Sequence, residues 1–160
     1  MTISTGESLP ETQLTLATLD GPKPVSVSEY FAGKKTALFA VPGAFTPTCS
    51  ARHLPGFVEK AGDLKAKGID QIACVSVNDA FVMAAWAESA GATGTVDMLA
   101  DGNGDFATAL GLDMDASKFG MGKRSQRYGM IVDDGKVAGL FVEDPGAFEV
   151  SSAEHMLGQL

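Results

Sequence analysis

Apolar residues follow two different spacings along this chain. Short apolar runs alternate with longer segments in which apolar residues recur every three or four positions. The first pattern is typical of β-strands and the second of amphipathic helices. The predicted strands cover residues 13–17, 36–41, 69–77, 96–100, 128–132 and 137–142. The predicted helices cover residues 26–31, 52–67, 80–90, 105–110 and 152–157.

Turn residues and caps define where several of these elements begin and end. Residues 13–17 alternate and are predicted to form an edge strand, followed by a turn at Asp20–Pro24. Pro55 is expected to bend the helix 52–67 or to start its regular part. Asp133–Lys136 is predicted to be the turn of a hairpin.

Two further helices carry recognisable N-terminal caps. Asn78 and Asp79 precede the helix 80–90, whose apolar side is expected to hold Phe81, Ala84 and Trp86. Ser151–Glu154 has the spacing of a capping box for the last helix. Strand–helix alternation that ends in a hairpin and a helix predicts an α/β protein, with helices on both faces of a mixed sheet.

Composition and charge narrow the range of partners. The 160 residues are predicted to form a single domain, 1–160, and 45% of them are hydrophobic. The formal charge of −8 argues against nucleic acid and against an anionic membrane surface. The first residues lack the features of a signal peptide. Together with only two cysteines, this predicts reduced thiols and a cytoplasmic location.

The segment Pro42–Cys49, Pro-Gly-Ala-Phe-Thr-Pro-Thr-Cys, holds the strongest chemical signal. It follows a buried strand and precedes a helix, so Cys49 is predicted at a helix start. Unpaired N–H groups and the positive end of the helix dipole favour a thiolate there. The hydroxyl of Thr46 is expected to reach the same place. A buried and inert Cys49 is the alternative, but Gly, Pro and Thr neighbours suggest a loop edge.

These residues resemble the active-site signature of peroxiredoxins, in the form Pro42-x-x-x-Thr46-x-x-Cys49. The longer strings 41–50 and 53–57 are similar to the peroxiredoxin-5 subfamily. The similarity continues through 74–81, 99–101 and 127–132. The resemblance implies the thioredoxin fold and a thiol-dependent peroxidase that serves antioxidant defence without a cofactor or metal.

The resemblance also implies roles for four residues. Cys49 would attack a hydroperoxide and become a sulfenic acid. Thr46 would bind the peroxide, Arg127 would stabilise the thiolate and the transition state, and Pro42 would shield the sulfur from water. Three other cations are lesser candidates for local positive potential: Arg52, Lys123 and Arg124.

The second cysteine, Cys74, lies inside a predicted central strand and is expected to be buried and inert. Some members of the resembled subfamily carry a resolving cysteine in a late loop, and the corresponding region, 143–152, has none. An external thiol is therefore expected to reduce the sulfenic acid. By resemblance, glutathione with glutaredoxin is the first choice and thioredoxin the second. The resemblance further implies a homodimer, in which Phe45 and Ala80–Phe81 could pack.

Other functions remain open from the sequence. Cys49 could serve a redox sensor with little turnover. His53 lies four residues after Cys49, and a Cys–His pair would suit a thiol hydrolase, although a helix-surface or peroxide-pocket histidine is preferred. Zinc binding through Cys49, His53 and Cys74 matches no common zinc spacing. His155 is expected to be exposed.

Overall fold

Nine strands and six α-helices make up the chain, and the computed structural model describes all 160 residues. The strands are β1 (Gln13–Thr18), β2 (Gly21–Ser26), β3 (Lys35–Val41), β4 (Gln71–Ser76), β5 (Asp97–Ala100), β6 (Asp113–Asp115), β7 (Lys123–Ser125), β8 (Tyr128–Asp133) and β9 (Lys136–Val142). The helices are α1 (Val27–Phe31), α2 (Leu54–Glu59), α3 (Ala61–Ala66), α4 (Ala80–Ser89), α5 (Asp105–Leu110) and α6 (Ala153–Gly158). A π-helical turn covers Cys49–His53 and a 3₁₀ turn covers Ser117–Phe119.

Seven of the strands form one mixed sheet in the order β2-β1-β5-β4-β3-β8-β9. The central strands β3, β4 and β5 are parallel, because a helical segment connects each to the next. Strands β1 and β8 join this parallel core antiparallel, and β2 and β9 pair antiparallel outside them. The short strands β6 and β7 form a separate ribbon.

Helices cover both faces of the large sheet, as the sequence predicts. One apolar cluster lies between the sheet and α2, α3, α4 and α6, and it contains Phe39, Phe57, Trp86 and both cysteines. The second cluster lies on the opposite face under α1 and α5. Residues of β3 alternate between the clusters, Phe39 facing the first and Leu38 the second, which explains why this strand is apolar throughout.

The predicted turn at Asp20–Pro24 is wrong. These residues fall largely within β2, which pairs with β1 from Gln13↔Ser26 to Thr18↔Gly21. Strand β2 is an edge strand, and an edge position tolerates prolines because one side of the strand needs no ladder hydrogen bonds. Consequently β1 is not the edge strand that its alternation suggested, because it lies between β2 and β5.

Three details of the helix predictions also differ. Phe81 is 73% exposed and does not belong to the buried side of α4, whereas Trp86 is buried. The last helix is capped by Ser152, whose hydroxyl oxygen accepts from the N–H of His155, so the cap lies one residue later than the predicted capping box. His155 is half-buried against the ring of Phe141.

The predicted helix 52–67 consists of a π-helical turn followed by two short α-helices. Pro55 lies in the first turn of α2, where its missing N–H would have had no intrahelical partner. Lys60, with φ of −93° and ψ of 6°, separates α2 from α3, and Gly68 follows α3 with φ of +98°. No helix of the protein is long and apolar enough to cross a membrane.

Candidate active site

Cys49 lies beyond the carboxyl end of β3, at the first position of the π-helical turn. The turn has this geometry because the N–H of Leu54 donates to the carbonyl of Cys49, five residues back. The Cys49 side chain is fully buried rather than at an exposed loop edge. A nucleophilic role for this sulfur therefore depends on the polar groups that reach it inside the protein.

The guanidinium of Arg127 provides the polar contact with Cys49. Its Nη2 donates to Cys49 Sγ at 3.1 Å, although the two residues are 78 positions apart in the sequence. Arg127 precedes β8, and β8 pairs with β3, the strand that leads to Cys49. A permanent cation at this distance favours a thiolate over a thiol.

The second arm of the Arg127 guanidinium is held by His53. Arg127 Nη1 lies 2.7 Å from His53 Nδ1, and His53 Nε2 lies 2.9 Å from the carbonyl of Ser151. His53 is fully buried among the rings of Phe39, Phe57 and Phe148, so it is not a helix-surface residue. Burial, assisted by the Arg127 charge, lowers the pKa of His53 to about 3, and the imidazole is neutral at physiological pH.

This histidine gives folding a pH dependence. Its pKa in the folded state lies below its ordinary value of 6.5, so between about pH 3 and pH 6.5 the unfolded chain binds more protons. The stability that neutral His53 contributes is present above pH 6.5, and it is lost as the pH falls from 6.5 toward 3. We expect urea unfolding to show a loss of about 3 kcal/mol between pH 7 and pH 4.5 from this group.

The control is a comparison of slopes between two histidine variants. His53→Phe should flatten the pH dependence, whereas His155→Gln should keep it, because His155 packs against Phe141 and leaves His53 and its partners unchanged. Equal slopes in wild type and His53→Phe would assign the acid sensitivity to the carboxyl groups instead.

Hydrogen bonds from within the loop and from Arg124 hold the loop before Cys49 in place. Thr46 Oγ1 donates to the carbonyl of Gly43 at 2.7 Å, which leaves the hydroxyl lone pairs free to accept. Arg124 Nη1 donates to the carbonyl of Pro42 at 3.3 Å. A Cβ on Gly43 would lie 2.9 Å from Arg124 Nη1 and 3.1 Å from Thr46 Cγ2, so a side chain here would displace the end of Arg124 and crowd Thr46.

Two polar contacts of this loop were not predicted from the sequence. Asn78 Oδ1, which was expected to cap α4, accepts from the N–H of Ala44 and from Ser76 Oγ. Trp86 Nε1 donates to Ser50 Oγ at 3.0 Å, next to Cys49. The helical spacing that predicts a buried tryptophan gives no sign of its hydrogen-bond partner.

Two further residues of the site, Glu143 and Ser151, were also missed. Both are buried, and Glu143 Oε2 accepts from Ser151 Oγ at 2.6 Å. The sequence of the segment 143–152 predicts only that it holds no second cysteine. A glutamate directly after the apolar strand β9 was the available signal.

Cys74 lies on β4, which is paired on both sides within the sheet, and its side chain is fully buried. Burial, and to a lesser degree the neighbouring Cys49, raises the pKa of the Cys74 thiol well above its ordinary value. The thiol of Cys74 is therefore not a nucleophile in the folded protein.

A cavity of about 650 Å³ borders the site. Its lining includes Pro42, Thr48 and Arg127 as well as Met114, Phe119 and Ala147. Lys123 is directed elsewhere, since its Nζ donates to Thr108 Oγ1. The guanidinium carbon of Arg52 lies 4.7 Å from the centre of the Phe148 ring.

The alternatives of zinc binding and thiol hydrolysis find no geometric support. No group of three or more His, Cys, Asp or Glu side chains is arranged to hold a metal ion. In a hydrolase the imidazole nitrogen would face the thiol. Here Arg127 contacts both Cys49 Sγ and His53 Nδ1, so the guanidinium lies between the two groups.

Comparison with known proteins identifies the family. The model of the Redoxin family matches residues 4–157. The protein named Peroxiredoxin-2E-2, chloroplastic, of Oryza sativa subsp. japonica is 56% identical over 165 residues, which cover 99% of this chain and 73% of the rice protein. The chain is a peroxiredoxin. Peroxiredoxins are thiol-dependent peroxidases, so the predicted class of oxidoreductase is confirmed.

Solved structures agree with this peroxiredoxin along its whole length. Reduced Prx3 in complex with H₂O₂ from Vibrio vulnificus has a TM-score of 0.94 and 56% identity, and 98% of each chain is covered. Peroxiredoxin 5 from Alvinella pompejana has a TM-score of 0.85 and 34% identity, with 97% of this chain and 96% of the other covered. The predicted thioredoxin fold is confirmed.

The predicted cytoplasmic location is contradicted, because the rice relative is a chloroplastic protein. The prediction was based on reduced thiols and on the composition of the first residues. Reducing conditions are not peculiar to the cytosol, so neither observation determines a compartment.

Proposed function

We propose that this peroxiredoxin reduces hydrogen peroxide and organic hydroperoxides through Cys49, in the manner of the peroxiredoxin-5 subfamily, and so serves antioxidant defence and cell redox homeostasis. The likeness to peroxiredoxin 5 of Alvinella pompejana supports the subfamily, and the H₂O₂ complex of the Vibrio vulnificus relative supports hydrogen peroxide as a substrate. The partly apolar cavity beside Arg127 supports larger hydroperoxides, because it offers room for an organic group.

The contact between Arg127 Nη2 and Cys49 Sγ is the observation that carries this proposal. The guanidinium cannot give up its proton, so it stabilises the thiolate and then the negative charge that develops on the peroxide oxygens. The Thr46 hydroxyl, whose lone pairs are free, accepts from the peroxide and orients it. Pro42 lines the cavity and limits the access of water to the sulfur.

The first step forms a bond between sulfur and oxygen. The thiolate of Cys49 attacks one oxygen of ROOH, the O–O bond breaks, and the leaving RO⁻ takes a proton to become water or an alcohol. Cys49 is oxidised by two electrons to the sulfenic acid, and the hydroperoxide is reduced by two. No cofactor takes part in this step.

An external thiol returns Cys49 to its starting state. A first thiol attacks the sulfenic acid and releases water, and a second thiol attacks the mixed disulfide and releases the oxidised thiol pair. Cys74 is a poor candidate for the first attack, because it is buried in β4 with a raised thiol pKa. Glutathione with glutaredoxin is the proposed reductant, and thioredoxin is the second choice.

A homodimer is part of the proposal. Three phenylalanines are exposed although each is large and apolar: Phe45 is 53% exposed, Phe81 73% and Phe119 70%. Phe45 lies in the loop that leads to Cys49, and Phe119 borders the cavity. Exposed aromatic side chains of this kind are typical of protein–protein contacts.

Peroxide consumption by the purified protein tests the function. Hydrogen peroxide and an organic hydroperoxide are each supplied with excess glutathione and glutaredoxin, and separately with thioredoxin and its reductase. We expect sustained turnover with the glutathione system. Oxidation of Cys49 without turnover in either system would contradict the peroxidase proposal and would favour a thiol redox sensor.

The chemistry of the oxidised protein tests the one-cysteine mechanism separately. After one equivalent of hydrogen peroxide, the intact mass should increase by one oxygen, and added glutathione should convert the product into a mixed disulfide on Cys49. Excess peroxide without thiol should give sulfinic and sulfonic acids. Loss of two hydrogens within one chain would mean that Cys74 leaves its strand and resolves Cys49. A covalent pair of chains would mean that resolution is intermolecular.

A further inference from the structure

Three hydrogen bonds converge on a single carboxylate oxygen of Glu143. Its Oε2 accepts from Ser151 Oγ at 2.6 Å, from the N–H of Ser151 at 2.8 Å and from the N–H of Glu149 at 2.7 Å. Burial acts to raise the pKa of this carboxyl, but the Ser151 hydroxyl and these N–H groups outweigh burial and keep the pKa below its ordinary value. Glu143 is thus a buried carboxylate at neutral pH.

Glu143 also contacts the segment that carries Arg127. Its backbone N–H donates to the carbonyl of Arg127 at 3.0 Å, immediately after the β8–β9 pairing ends. One residue therefore connects the backbone of Arg127 with the loop of Ser151. The position of Arg127 relative to Ser151 therefore depends on Glu143.

Ser151 in turn fixes the position of His53. Its N–H and hydroxyl are both bound by Glu143, and its carbonyl lies 2.9 Å from His53 Nε2. A carbonyl oxygen can only accept, so Nε2 of the neutral imidazole carries the hydrogen. Nδ1 then holds a lone pair, and this lone pair faces Arg127 Nη1 at 2.7 Å.

We propose that Glu143 is a positioning residue for Arg127, acting through Ser151 and His53 to hold the guanidinium against Cys49 Sγ. The effect on the peroxide reaction rests on the function proposed above. The effect on the ionisation of Cys49 does not rest on that function. It requires only that hydrogen bonds connect Glu143, Ser151, His53 and Arg127.

The negative charge of Glu143 allows positioning to be separated from a direct electrostatic effect. A carboxylate in this neighbourhood disfavours a second anion, so its removal would by charge alone make the Cys49 thiolate easier to form. Loss of the correct Arg127 position has the opposite effect, because the thiolate then loses its cation. The direction of the change identifies which role Glu143 has.

The principal test is Glu143→Gln, which keeps the shape of the side chain and removes its charge. We expect the midpoint of the ultraviolet thiolate absorbance to move to higher pH. We also expect oxidation of Cys49 by hydrogen peroxide, followed through Trp86 fluorescence, to slow by about tenfold. Glu154→Gln, an equal charge change at an exposed position of α6, should alter neither. A midpoint that moves to lower pH or stays in place in Glu143→Gln would overturn the proposal.

A double-mutant comparison tests the route through His53. His53→Phe places an aromatic ring among the same three phenylalanines without either nitrogen. If Glu143 acts through His53, Glu143→Gln should add little to the shift already caused by His53→Phe. Full additivity of the two shifts would contradict the proposal.

Two remaining outcomes are covered by separate measurements. If circular dichroism shows that Glu143→Gln does not fold, Ser151→Ala removes only the hydroxyl donor and should shift the midpoint in the same direction by a smaller amount. No shift in that variant would then contradict the proposal. The other outcome is a wild-type protein that fails to react with peroxide while Glu143→Gln still shifts the thiolate midpoint to higher pH. That result would overturn the proposed function and leave the positioning role supported.

Discussion

Replacement of Cys49 by serine is expected to abolish peroxide turnover, whereas replacement of Cys74 by serine should leave most of it. Serine at 49 keeps the shape of the site, but a hydroxyl beside Arg127 cannot become the nucleophile that a thiolate is. Cys74 is fully buried in β4 and has no hydrogen bond to the groups that surround Cys49 Sγ. Its replacement changes packing rather than chemistry.

Steady-state rates with one reductant and one peroxide provide the measurement. Circular dichroism and urea unfolding of both variants serve as controls, because a polar hydroxyl at position 74 enters an apolar cluster and destabilises the fold by roughly 1–3 kcal/mol. Loss of turnover in a well-folded Cys74→Ser protein would exclude the one-cysteine assignment. Retained turnover in Cys49→Ser would remove the basis of the proposed mechanism.

Replacement of Arg127 by alanine is expected to slow the reaction of Cys49 with peroxide by about 10²–10³-fold. The variant loses the cation 3.1 Å from the sulfur and leaves His53 Nδ1 without its donor. The midpoint of the thiolate absorbance should move to higher pH. Thr46→Val should also slow the reaction without moving this midpoint, because Thr46 is proposed to bind the peroxide.

Two further arginine variants separate charge from geometry. Arg127→Lys keeps a cation but cannot contact Cys49 and His53 together, so it should recover only part of the rate. Arg52→Ala removes an equal charge from the face of the Phe148 ring and should have a small effect. If Arg127→Ala reacts at the wild-type rate, another cation stabilises the thiolate, and Arg124 at the Pro42 carbonyl is the first to examine.

The sequence predicts the central part of this fold well, because local patterns determine it. Strand β3 is apolar on both faces and ends at the segment 42–49, so the position of Cys49 beyond a buried strand could be predicted. The hairpin β8–β9 has a two-residue turn at Asp134–Gly135 with both residues at positive φ, which the Asp-Gly pair indicates. In contrast, β2 contains Pro22 and Pro24, and only its place at the sheet edge makes it a strand.

The candidate site is less predictable because its contacts join distant parts of the chain. The Arg127–Cys49 contact spans 78 positions and the His53–Ser151 contact spans 98. Arg127 was predicted only through the family motif, and the place of Glu143 directly after β9 is too weak a signal to separate it from a surface glutamate. His53 was expected to share a helix face with Cys49, but the spacing could not show that a guanidinium lies between them. The exposure of Phe81 likewise depends on what covers α4, which periodicity does not describe.

The absence of a side chain at Gly43 has a consequence for anyone who redesigns this enzyme. A single methyl group there would lie 2.9 Å from Arg124 Nη1 and 3.1 Å from Thr46 Cγ2, so a larger residue at position 43 would displace the end of Arg124 and crowd Thr46. Directed evolution toward bulkier hydroperoxides should therefore draw its libraries from cavity residues that lie outside the loop before Cys49. Met114, Phe119 and Ala147 line the cavity outside the loop, and the hydrogen bond to the sulfur comes from Arg127 rather than from any of them. Substrate range can then change while the groups around Cys49 stay as they are.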